Sequence, residues 1–288
     1  MRPSSSAVHA RALLGRRSQS RIALVGNLSI DRVAGGPPRA GGGVFWAARA
    51  AARVGADVAV ATRCASRDRG VALAPLEALG LPVVCADAER TTAFSFHYEG
   101  DRRLMTVDAV GDAWSPEDVE GWAAEAVAGA EWALVAGLLR TDFPAETVAA
   151  LARDGRRLAL DAQGLVRLGR TGPLETDASV DRSTLAELAV LTLNEEEAET
   201  LVGAAEPERL RALGVPEVVL TLGSRGAVVV TGDEASEIAP QPVEGTVDPT
   251  GAGDAFSLVY VDGRARGAAP VEAATRATRI VAELISRP

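Results

Sequence analysis

Short apolar runs alternate with helix-like stretches along most of the 288-residue chain. The apolar runs are rich in Val, Leu and Ala, which is typical of strands buried inside a sheet. They are "RIALVGNLSI" (21–30), "ADVAVAT" (56–62), "EWALVAG" (131–137), "RRLALDA" (156–162), "LAVLTLN" (188–194) and "EVVLTLG" (217–223). Between them lie helical patterns such as "VFWAARAAARVG" (44–55), which ends on a glycine suited to a helix C-terminus. This alternation predicts an α/β fold in which helices cover both faces of a mostly parallel central sheet.

Two segments break the alternation. Residues 31–43 are rich in Gly and Pro, and residues 91–112 alternate apolar and polar side chains around the turn "EGDR". The second segment is typical of a β-hairpin, which does not fit inside a parallel sheet. We therefore expect both segments to form a small β lid over one edge of a single domain that spans residues 21–288.

Residues 1–20 are rich in Arg and Ser, contain no acidic residue and lack the apolar region of a secretory signal. Their composition is similar to that of a transit peptide, but we expect a disordered N-terminal extension. No apolar run of the chain reaches the roughly 18 residues expected of a membrane span. We therefore expect a cytoplasmic protein with no membrane partner.

The composition removes several kinds of chemistry. The formal net charge is −9, which argues against a nucleic acid as a partner. All 30 basic residues are arginine, so neither a Schiff base nor a P-loop lysine can form. Cys64 and Cys85 show no metal-binding spacing, and the two histidines, His9 and His97, argue against a histidine triad or a zinc site.

The stretch "VDPTGAGDAFS" (247–257) places a glycine-rich turn ahead of an apolar helical run. At a helix N-terminus, Gly251, Ala252 and Gly253 would offer main-chain N–H groups to a phosphate. Asp254 would repel that anion, so we interpret it as a general base that removes a proton from a hydroxyl attacking the phosphorus. A helix that carries an aspartate in its first turn explains the same residues without any function.

Two further motifs follow strand-like runs. Asn194 ends "LAVLTLN" and Glu197 lies three residues later, a spacing that suits Mg²⁺ held through water. The same pair also fits a capping box at a helix start. The turn "TLGSRG" (221–226) can lie against a nucleotide phosphate or simply join two strands of a hairpin. No GxGxxG motif follows the first strand, which argues against a dinucleotide-binding domain.

These stretches, in this order, resemble the PfkB family of carbohydrate kinases, which share the ribokinase fold. The resemblance covers roughly residues 21–286 and rests mainly on "DPTGAGDAF", with "AGGGVFWAARAAARVGADV" as a less close match. It implies that Asp254 is the catalytic base and that the N–H groups of Gly251, Ala252 and Gly253 form an anion hole for the transferred phosphoryl group.

The resemblance also implies binding sites for the two substrates. The residues implied for the ATP site are Asn194, Glu197, Thr221, Gly223 and Gly226, with Glu197 organising Mg²⁺ through water. Those implied for the acceptor are Asp31, Gly41, Gly42 and, from its place in the hairpin, Arg103. Asp248 and Thr250 match positions that bind a monovalent cation such as K⁺ in some members.

The chain departs from the family pattern at the acceptor site. Trp46 stands where the N-terminal signature commonly has an asparagine that contacts the sugar, and an indole cannot replace that amide. The ring can stack on a base or a sugar, or simply be buried in the fold. The stretch "DAQGLVR" falls where many members carry Asp-Asn-Arg, which assigns Asp161, Gln163 and Arg167 to the phosphate or the acceptor. A stretch similar to "DAQGLVR" occurs in the branch of this family that resembles myo-inositol kinases.

The sequence thus predicts an ATP-dependent kinase that phosphorylates a hydroxyl of a small sugar or polyol. The alternatives are a nucleoside kinase of the same fold and a ligand-binding member without catalysis. The strand edge of the lid also predicts a homodimer formed through the lid.

Overall fold

A computed structural model of the protein describes residues 22–99, 102–232, 234–243 and 249–286, and only the backbone at residues 98, 99, 102 and 103. The strands are Ile22–Asn27 (β1), Ser29–Val33 (β2), Arg39–Gly41 (β3), Val58–Ala65 (β4), Val83–Ala88 (β5), Thr92–Glu99 (β6), Arg102–Ala109 (β7), Trp132–Val135 (β8), Arg157–Asp161 (β9), Gly172–Pro173 (β10), Leu188–Asn194 (β11), Glu217–Thr221 (β12), Ala227–Val230 (β13) and Ala235–Ile238 (β14). The helices are Gly43–Val54 (α1), Arg69–Ala72 (α2), Ala74–Glu77 (α3), Pro116–Glu120 (α4), Ala124–Val127 (α5), Ala145–Ala152 (α6), Gln163–Val166 (α7), Arg182–Ala186 (α8), Glu195–Val202 (α9), Pro207–Arg211 (α10), Ala252–Ala265 (α11) and Pro270–Ile285 (α12). The predicted extension at residues 1–20 lies outside the described residues.

Nine of the described strands form the main sheet, in the order β14-β13-β12-β11-β9-β8-β1-β4-β5. The neighbours from β12 to β5 are parallel, and β13 and β14 are antiparallel. In this register Asp161 pairs with Thr192, and Asn194 pairs with Thr221. Parallel strands end at the same edge, so these polar residues lie close together. The predicted mostly parallel sheet is confirmed.

Helices cover both faces of the main sheet, and each face has its own apolar core. On one face, α11 packs against the central strands and also contacts α1 and α12, burying Leu258 and Tyr260 completely. On the other face, Val148 and Leu151 of α6 are equally buried. Removing these side chains from water is the main source of stability for such a layered fold. None of the described helices combines the length and apolar character needed to cross a lipid bilayer.

A second, smaller sheet has the order β10-β7-β6-β2-β3. The predicted segments 31–43 and 91–112 supply most of its strands, and β6 and β7 form the expected hairpin. The run "RIALVGNLSI", interpreted as one strand, is in fact two, because the chain leaves the main sheet at Leu28. The amide of Asn27 accepts a hydrogen bond from Trp114 Nε1 (2.8 Å) and donates one to the carbonyl of Asp112 (3.0 Å), fixing this exit.

A small core joins the second sheet to the main one. Phe94 and Phe96 of β6 and Val107 of β7 pack against Leu138 and Leu139, which follow β8. The turn that carries these leucines is held by the buried carboxylate of Asp142. Its Oδ2 accepts the N–H groups of Leu138 (2.8 Å) and Leu139 (3.3 Å). Burial raises the pKa of Asp142 to about 6, which is the cost of placing this acceptor inside the protein.

We expect Asp142→Ala to lower the free energy of unfolding by about 3 kcal/mol, because two buried N–H groups lose their acceptor. Asp142→Asn keeps an oxygen at the same place and is expected to cost less. Urea unfolding at pH 7 measures both changes. Equal stability of Asp142→Ala and the unaltered protein would contradict this account of the turn.

Candidate active site

A cavity of about 190 Å³ opens where the carboxyl edge of the main sheet meets the small sheet. The residues assigned from the sequence that line it are Asp31, Gly42, Trp46, Asp161, Gln163, Arg167, Asn194, Glu197, Thr221, Thr250, Gly251, Gly253 and Asp254. The structure therefore brings most of the assigned residues together, although they come from five separate stretches of the chain.

Asp254 projects into this cavity from the first turn of α11. The helix begins after Gly251, whose left-handed backbone (φ 78°) serves as the N-cap without a side-chain hydrogen bond. The carboxylate of Asp254 does not cap the helix. Its Oδ1 accepts a hydrogen bond from Gln163 Nε2 at 3.1 Å instead. An aspartate placed only to start a helix does not explain this direction, so the side chain is free of a capping role.

Three consecutive glycines shape the wall opposite Asp254. A Cβ atom at Gly41 would overlap the carboxylate of Asp31, and one at Gly43 would lie 2.7 Å from Asp254 Oδ1. Gly42 has φ 97°, a backbone conformation that disfavours residues with a side chain. Each glycine is therefore required for a different steric reason. Together they let the carboxylates of Asp31 and Asp254 approach the start of α1.

Asp161 lies at the bottom of the cavity, at the end of β9. Its Oδ2 accepts from the hydroxyls of Thr192 (3.2 Å) and Ser257 (3.4 Å), and its Oδ1 accepts from the N–H of Gln163 (3.2 Å). The two hydroxyls are also in contact with each other, at 2.7 Å. This network fixes Asp161 and the start of α7, and thereby also the amide of Gln163 that reaches Asp254.

The carboxylates of the cavity share an unusual electrostatic environment. Burial, reinforced by repulsion from Asp161, raises the pKa of Asp254 to about 7. Burial likewise raises the pKa of Asp161. The guanidinium of Arg167 lowers both values but does not outweigh burial. A carboxylate that titrates near neutral pH is suited to accept a proton and release it again.

Asn194 and Glu197 form a reciprocal capping box at the start of α9. The Asn194 side chain accepts from the N–H of Glu197 (2.9 Å), and Glu197 Oε2 accepts from the N–H of Asn194 (3.0 Å). The helix-start interpretation is therefore realised, yet both residues also line the cavity. Burial raises the pKa of Glu197 to about 7. Its assignment to Mg²⁺ stays a prediction.

A second, mostly apolar cavity of about 330 Å³ adjoins the first and shares Thr221 and Gly253 with it. Its walls are supplied by the turn of the β12–β13 hairpin, by α11 and by α12. The other lining residues are Gly223, Ser224, Gly226, Pro240, Gln241, Val243, Pro249, Ala252, Phe256, Thr278, Val281, Ala282 and Ile285. Gly223 and Gly226, assigned to the nucleotide, thus face this cavity and not the first one.

Some assigned residues stand apart from the first cavity. The N–H of Ala252 donates to the carbonyl of Pro249 at 3.0 Å, so it is turned away from an anion in this conformation. Gly41 lies behind Asp31, which separates it from the cavity. The side chain of Arg103 and all of Asp248 lie outside the described residues.

The sequence interpretation missed a further set of residues that line the cavity: Ser29, Gly43, Phe94, Phe96, Met105, Leu138, Thr192, Leu193 and Ser257. The spacing of several of these residues along the sequence could have identified them. Phe94 and Phe96 lie two apart on a strand and so share one face, and Ser257 lies three residues after Asp254 on a helix. Leu138 carried no such signal, because it lies in a turn outside any periodic element.

The family of the chain is established by comparison. A model described as pfkB family carbohydrate kinase matches residues 29–288, and the chain belongs to this family. A curated relative, the 2-dehydro-3-deoxygluconokinase of Haemophilus influenzae, is 25% identical over 128 residues. That match covers 43% of this chain and 41% of the relative, so the chain spans less than half the length of that relative.

Solved structures show the same fold. A pyrophosphate-dependent kinase of the ribokinase family, complexed with a pyrophosphate analogue and myo-inositol, has a TM-score of 0.79 at 23% identity. The comparison covers 93% of this chain and 96% of that one. The ribokinase of Arabidopsis thaliana complexed with ribose and ATP has a TM-score of 0.70 at 20% identity, over 92% of each chain. The predicted ribokinase-like fold is therefore confirmed.

The raised pKa of Asp254 predicts how stability depends on pH. The folded protein holds the proton of Asp254 up to about pH 7, whereas the unfolded chain loses it near pH 4. Between these values the folded state binds more protons, so this residue makes stability fall as pH rises, with no further change above pH 7. Asp254→Asn, which cannot ionise, should be more stable than the unaltered protein at pH 8 by roughly 2–4 kcal/mol.

That advantage should shrink as pH falls from 7 towards 4. Denaturant unfolding of both proteins at pH 4.5, 6 and 8 measures this difference in stability. A constant difference across these pH values would mean that Asp254 ionises normally and lies in water.

Proposed function

We propose that the protein is an ATP-dependent kinase that transfers the γ-phosphoryl group to a hydroxyl of a small, neutral sugar or polyol. One observation carries the proposal. Asp254 points into a cavity beside the N-terminus of a long helix, and its pKa of about 7 suits proton transfer. Membership of the pfkB family of carbohydrate kinases supports the same class of reaction.

Asp254 is the proposed general base. As the acceptor hydroxyl attacks the γ-phosphorus, its proton passes to Asp254, and the bond between the γ-phosphorus and its bridging oxygen breaks. Gln163 holds Oδ1 of the carboxylate, which leaves Oδ2 to receive the proton. In phosphoryl transfer the enzyme contributes mostly position and charge stabilisation. The fixed direction of Asp254 is therefore the main requirement.

The start of α11 is the proposed anion hole. The dipole of this 14-residue helix places partial positive charge at Gly251 and Gly253, which line the cavity next to Asp254. Ala252 belongs to the anion hole only if its N–H leaves the Pro249 carbonyl. Main-chain N–H groups can bind the transferred phosphoryl group without a lysine, and this chain has none.

The acceptor is proposed to lie between Asp31 and the lid side chains. Asp31 accepts from Ser29 Oγ at 2.7 Å and offers a carboxylate to sugar hydroxyls. Asp161, Gln163, Arg167 and the Gly42 backbone complete the polar wall, with Trp46 at its side. Phe94, Phe96, Met105 and Leu138 supply an apolar wall that suits the C–H face of a ring.

The charge of this cavity favours a neutral acceptor. Among the described lining side chains, Asp31, Asp161, Asp254 and Glu197 face one cation, Arg167. At short range in a cavity of low dielectric, those of these carboxyl groups that are ionised repel a sugar acid or a sugar phosphate. The volume of about 190 Å³ suits a monosaccharide or a cyclic polyol.

The donor is proposed to place its base in the apolar cavity of about 330 Å³ and its phosphates near Thr221 and Gly253. A base needs such a cavity, whereas pyrophosphate does not. This supports ATP, the nucleotide of the Arabidopsis ribokinase complex, over the donor of the pyrophosphate-dependent neighbour.

Cation sites complete the proposal. A buried carboxylate is a suitable partner for Mg²⁺, and Glu197 with Asn194 would hold it through water. Within the described residues no three His, Cys, Asp or Glu side chains form a metal cluster, which fits an ion held largely by phosphates. Bound there, Mg²⁺ would neutralise charge on the phosphates. A K⁺ ion at Asp248 and Thr250, and a homodimer through the small sheet, stay predictions.

The purified protein should consume ATP in the presence of a neutral acceptor such as myo-inositol or ribose. We expect little turnover with 2-dehydro-3-deoxygluconate or adenosine, and less with pyrophosphate than with ATP. Asp254→Asn should lower kcat by about 10²–10⁴-fold while the Kd for ATP changes little. Acceptor-dependent ADP release and ATP titration measure these quantities.

Each arm of this experiment has a contrary outcome. Turnover of Asp254→Asn equal to that of the unaltered protein would remove Asp254 as the base. Faster turnover with pyrophosphate than with ATP would overturn the donor assignment. ATP binding without transfer to any acceptor would favour the ligand-binding alternative, and turnover with adenosine alone would favour the nucleoside kinase.

Gly43→Ala should damage catalysis while leaving the fold intact. The added Cβ would lie 2.7 Å from Asp254 Oδ1 and 3.3 Å from Gln163 Nε2, so it would displace the carboxylate. The added Cβ would also lie 3.2 Å from the Cβ of buried Ala136, so denaturant unfolding of the variant is measured beside its activity to check that the fold is retained. We expect kcat to fall at least about tenfold, since small misplacements of reacting groups are costly.

Gly70→Ala is the matched control, because a Cβ at Gly70 meets no atom within 4 Å. Its kcat should equal that of the unaltered protein. If Gly43→Ala keeps full activity, the contact between Gly43 and Asp254 does not hold the base in place.

A further inference from the structure

A groove of about 470 Å³ runs between α1 and α12, on the far side of Trp46 from the acceptor cavity. Three arginines face it, and we refer to it as the arginine groove. Arg39 comes from β3, while Arg49 and Arg53 come from α1. On the helix, Trp46, Arg49 and Arg53 are spaced by three and four residues and so form one stripe.

No carboxylate of the described residues neutralises these arginines. Within the described ranges, none of the three forms an ion pair with a carboxylate, and Arg39 Nε is buried without a hydrogen-bond partner. Glu283, the one acidic residue among the described residues that line the groove, is paired with Arg279 at 2.8 Å. In a protein of net charge −9, three unpaired guanidinium groups around one groove form a local positive field.

The groove is partly preorganised and has an apolar component. The guanidinium of Arg49 lies over the Trp46 ring at 4.9 Å, which restrains both side chains. Ala50, Ala255, Leu284 and Ile285 supply apolar wall. The groove is larger than an inorganic anion needs, so an occupant with an organic part fits its walls better.

We propose that the arginine groove binds a small organic phosphate ester, with its phosphate on Arg49, Arg53 and Arg39 and its organic part against Trp46 and α12. Guanidinium groups bind phosphate oxygens through paired, charge-assisted hydrogen bonds, which favours phosphate over a carboxylate. This site adjoins the proposed acceptor and donor cavities and shares wall residues with both, but its ligand takes no part in phosphoryl transfer.

The position of the groove links it to the candidate active site. Trp46, Thr250 and Gly251 line both the groove and the acceptor cavity. The indole of Trp46 lies so close to Gly251 that a Cβ atom there would overlap it. A ligand against the outer face of Trp46 therefore contacts the wall that supports the start of α11.

The chain offers a matched control. Another cavity of about 470 Å³, between α8, α9 and α10, is lined by the exposed arginines Arg182 and Arg209. The double variants R49Q/R53Q and R182Q/R209Q remove the same charge from exposed positions of two cavities of equal volume. A general effect of net charge would therefore appear in both variants.

The test is isothermal titration of ribose 5-phosphate and of inorganic phosphate into the unaltered protein and both double variants, without ATP or acceptor. We expect R49Q/R53Q to weaken ribose 5-phosphate binding at least about tenfold, because charge-assisted hydrogen bonds are lost. R182Q/R209Q should bind it like the unaltered protein. Inorganic phosphate should bind at least about tenfold more weakly than the ester, because it leaves the apolar wall unfilled.

Thermal unfolding of both variants checks that the fold is retained. Binding of the ester that persists in R49Q/R53Q would place it elsewhere and overturn the proposal, as would no binding to the unaltered protein. Equal affinities for ribose 5-phosphate and inorganic phosphate would overturn the assignment to an ester. None of these readouts depends on kinase activity, so they stand whether or not the proposed function does.

Discussion

The hydrogen bond between Gln163 and Asp254 is the contact on which the candidate site depends. It joins α7 to the first turn of α11, and Gly43 lies so close that α1 is part of the same contact. Contacts from the starts of three helices, at one edge of the sheet, thereby fix the direction of the Asp254 carboxylate. Burial of that carboxylate opposes its ionisation and so costs stability at neutral pH. Such a cost is characteristic of sites where position and protonation matter more than stability.

The three consecutive glycines Gly41, Gly42 and Gly43 explain how the two sheets meet around the hydrogen bond between Gln163 and Asp254. Gly41 admits the carboxylate of Asp31, which belongs to the small sheet, and Gly43 admits Asp254, which belongs to the main domain. The segment between them must also turn into α1, which the positive φ of Gly42 allows. A short run without side chains therefore brings a residue of the small sheet, Asp31, and a residue of α11, Asp254, into one cavity.

Much of this arrangement was accessible from the sequence, for definite reasons. Alternating strands and helices place Asp161, Asn194 and Thr221 at one sheet edge, because parallel strands share their carboxyl ends. The exit at Leu28 was not accessible, because it is set by Asn27 contacting Trp114, 87 residues away. Leu138 was missed for a different reason, since its turn is fixed by the buried side chain of Asp142, four residues later, and not by any periodic pattern. Specific side-chain contacts, between distant segments or within a turn, therefore fix the parts of the fold that periodicity does not predict.

Charge is distributed unevenly around Trp46, with carboxylates on one side of the indole and arginines on the other. On the inner side, acidic groups outnumber Arg167 in the cavity, so the proposed phosphoryl transfer would rely on the main chain of α11 and on a bound metal ion to hold the phosphate. On the outer side lie Arg49 and Arg53, which would attract the phosphoryl donor if they faced the cavity. Their separation by one indole leaves Arg167 as the one cation among the described residues that line this cavity, so the proposed neutral polyol would compete there with few cellular phosphate esters. The same indole supports Gly251, so the boundary between the two fields is also part of the proposed anion hole.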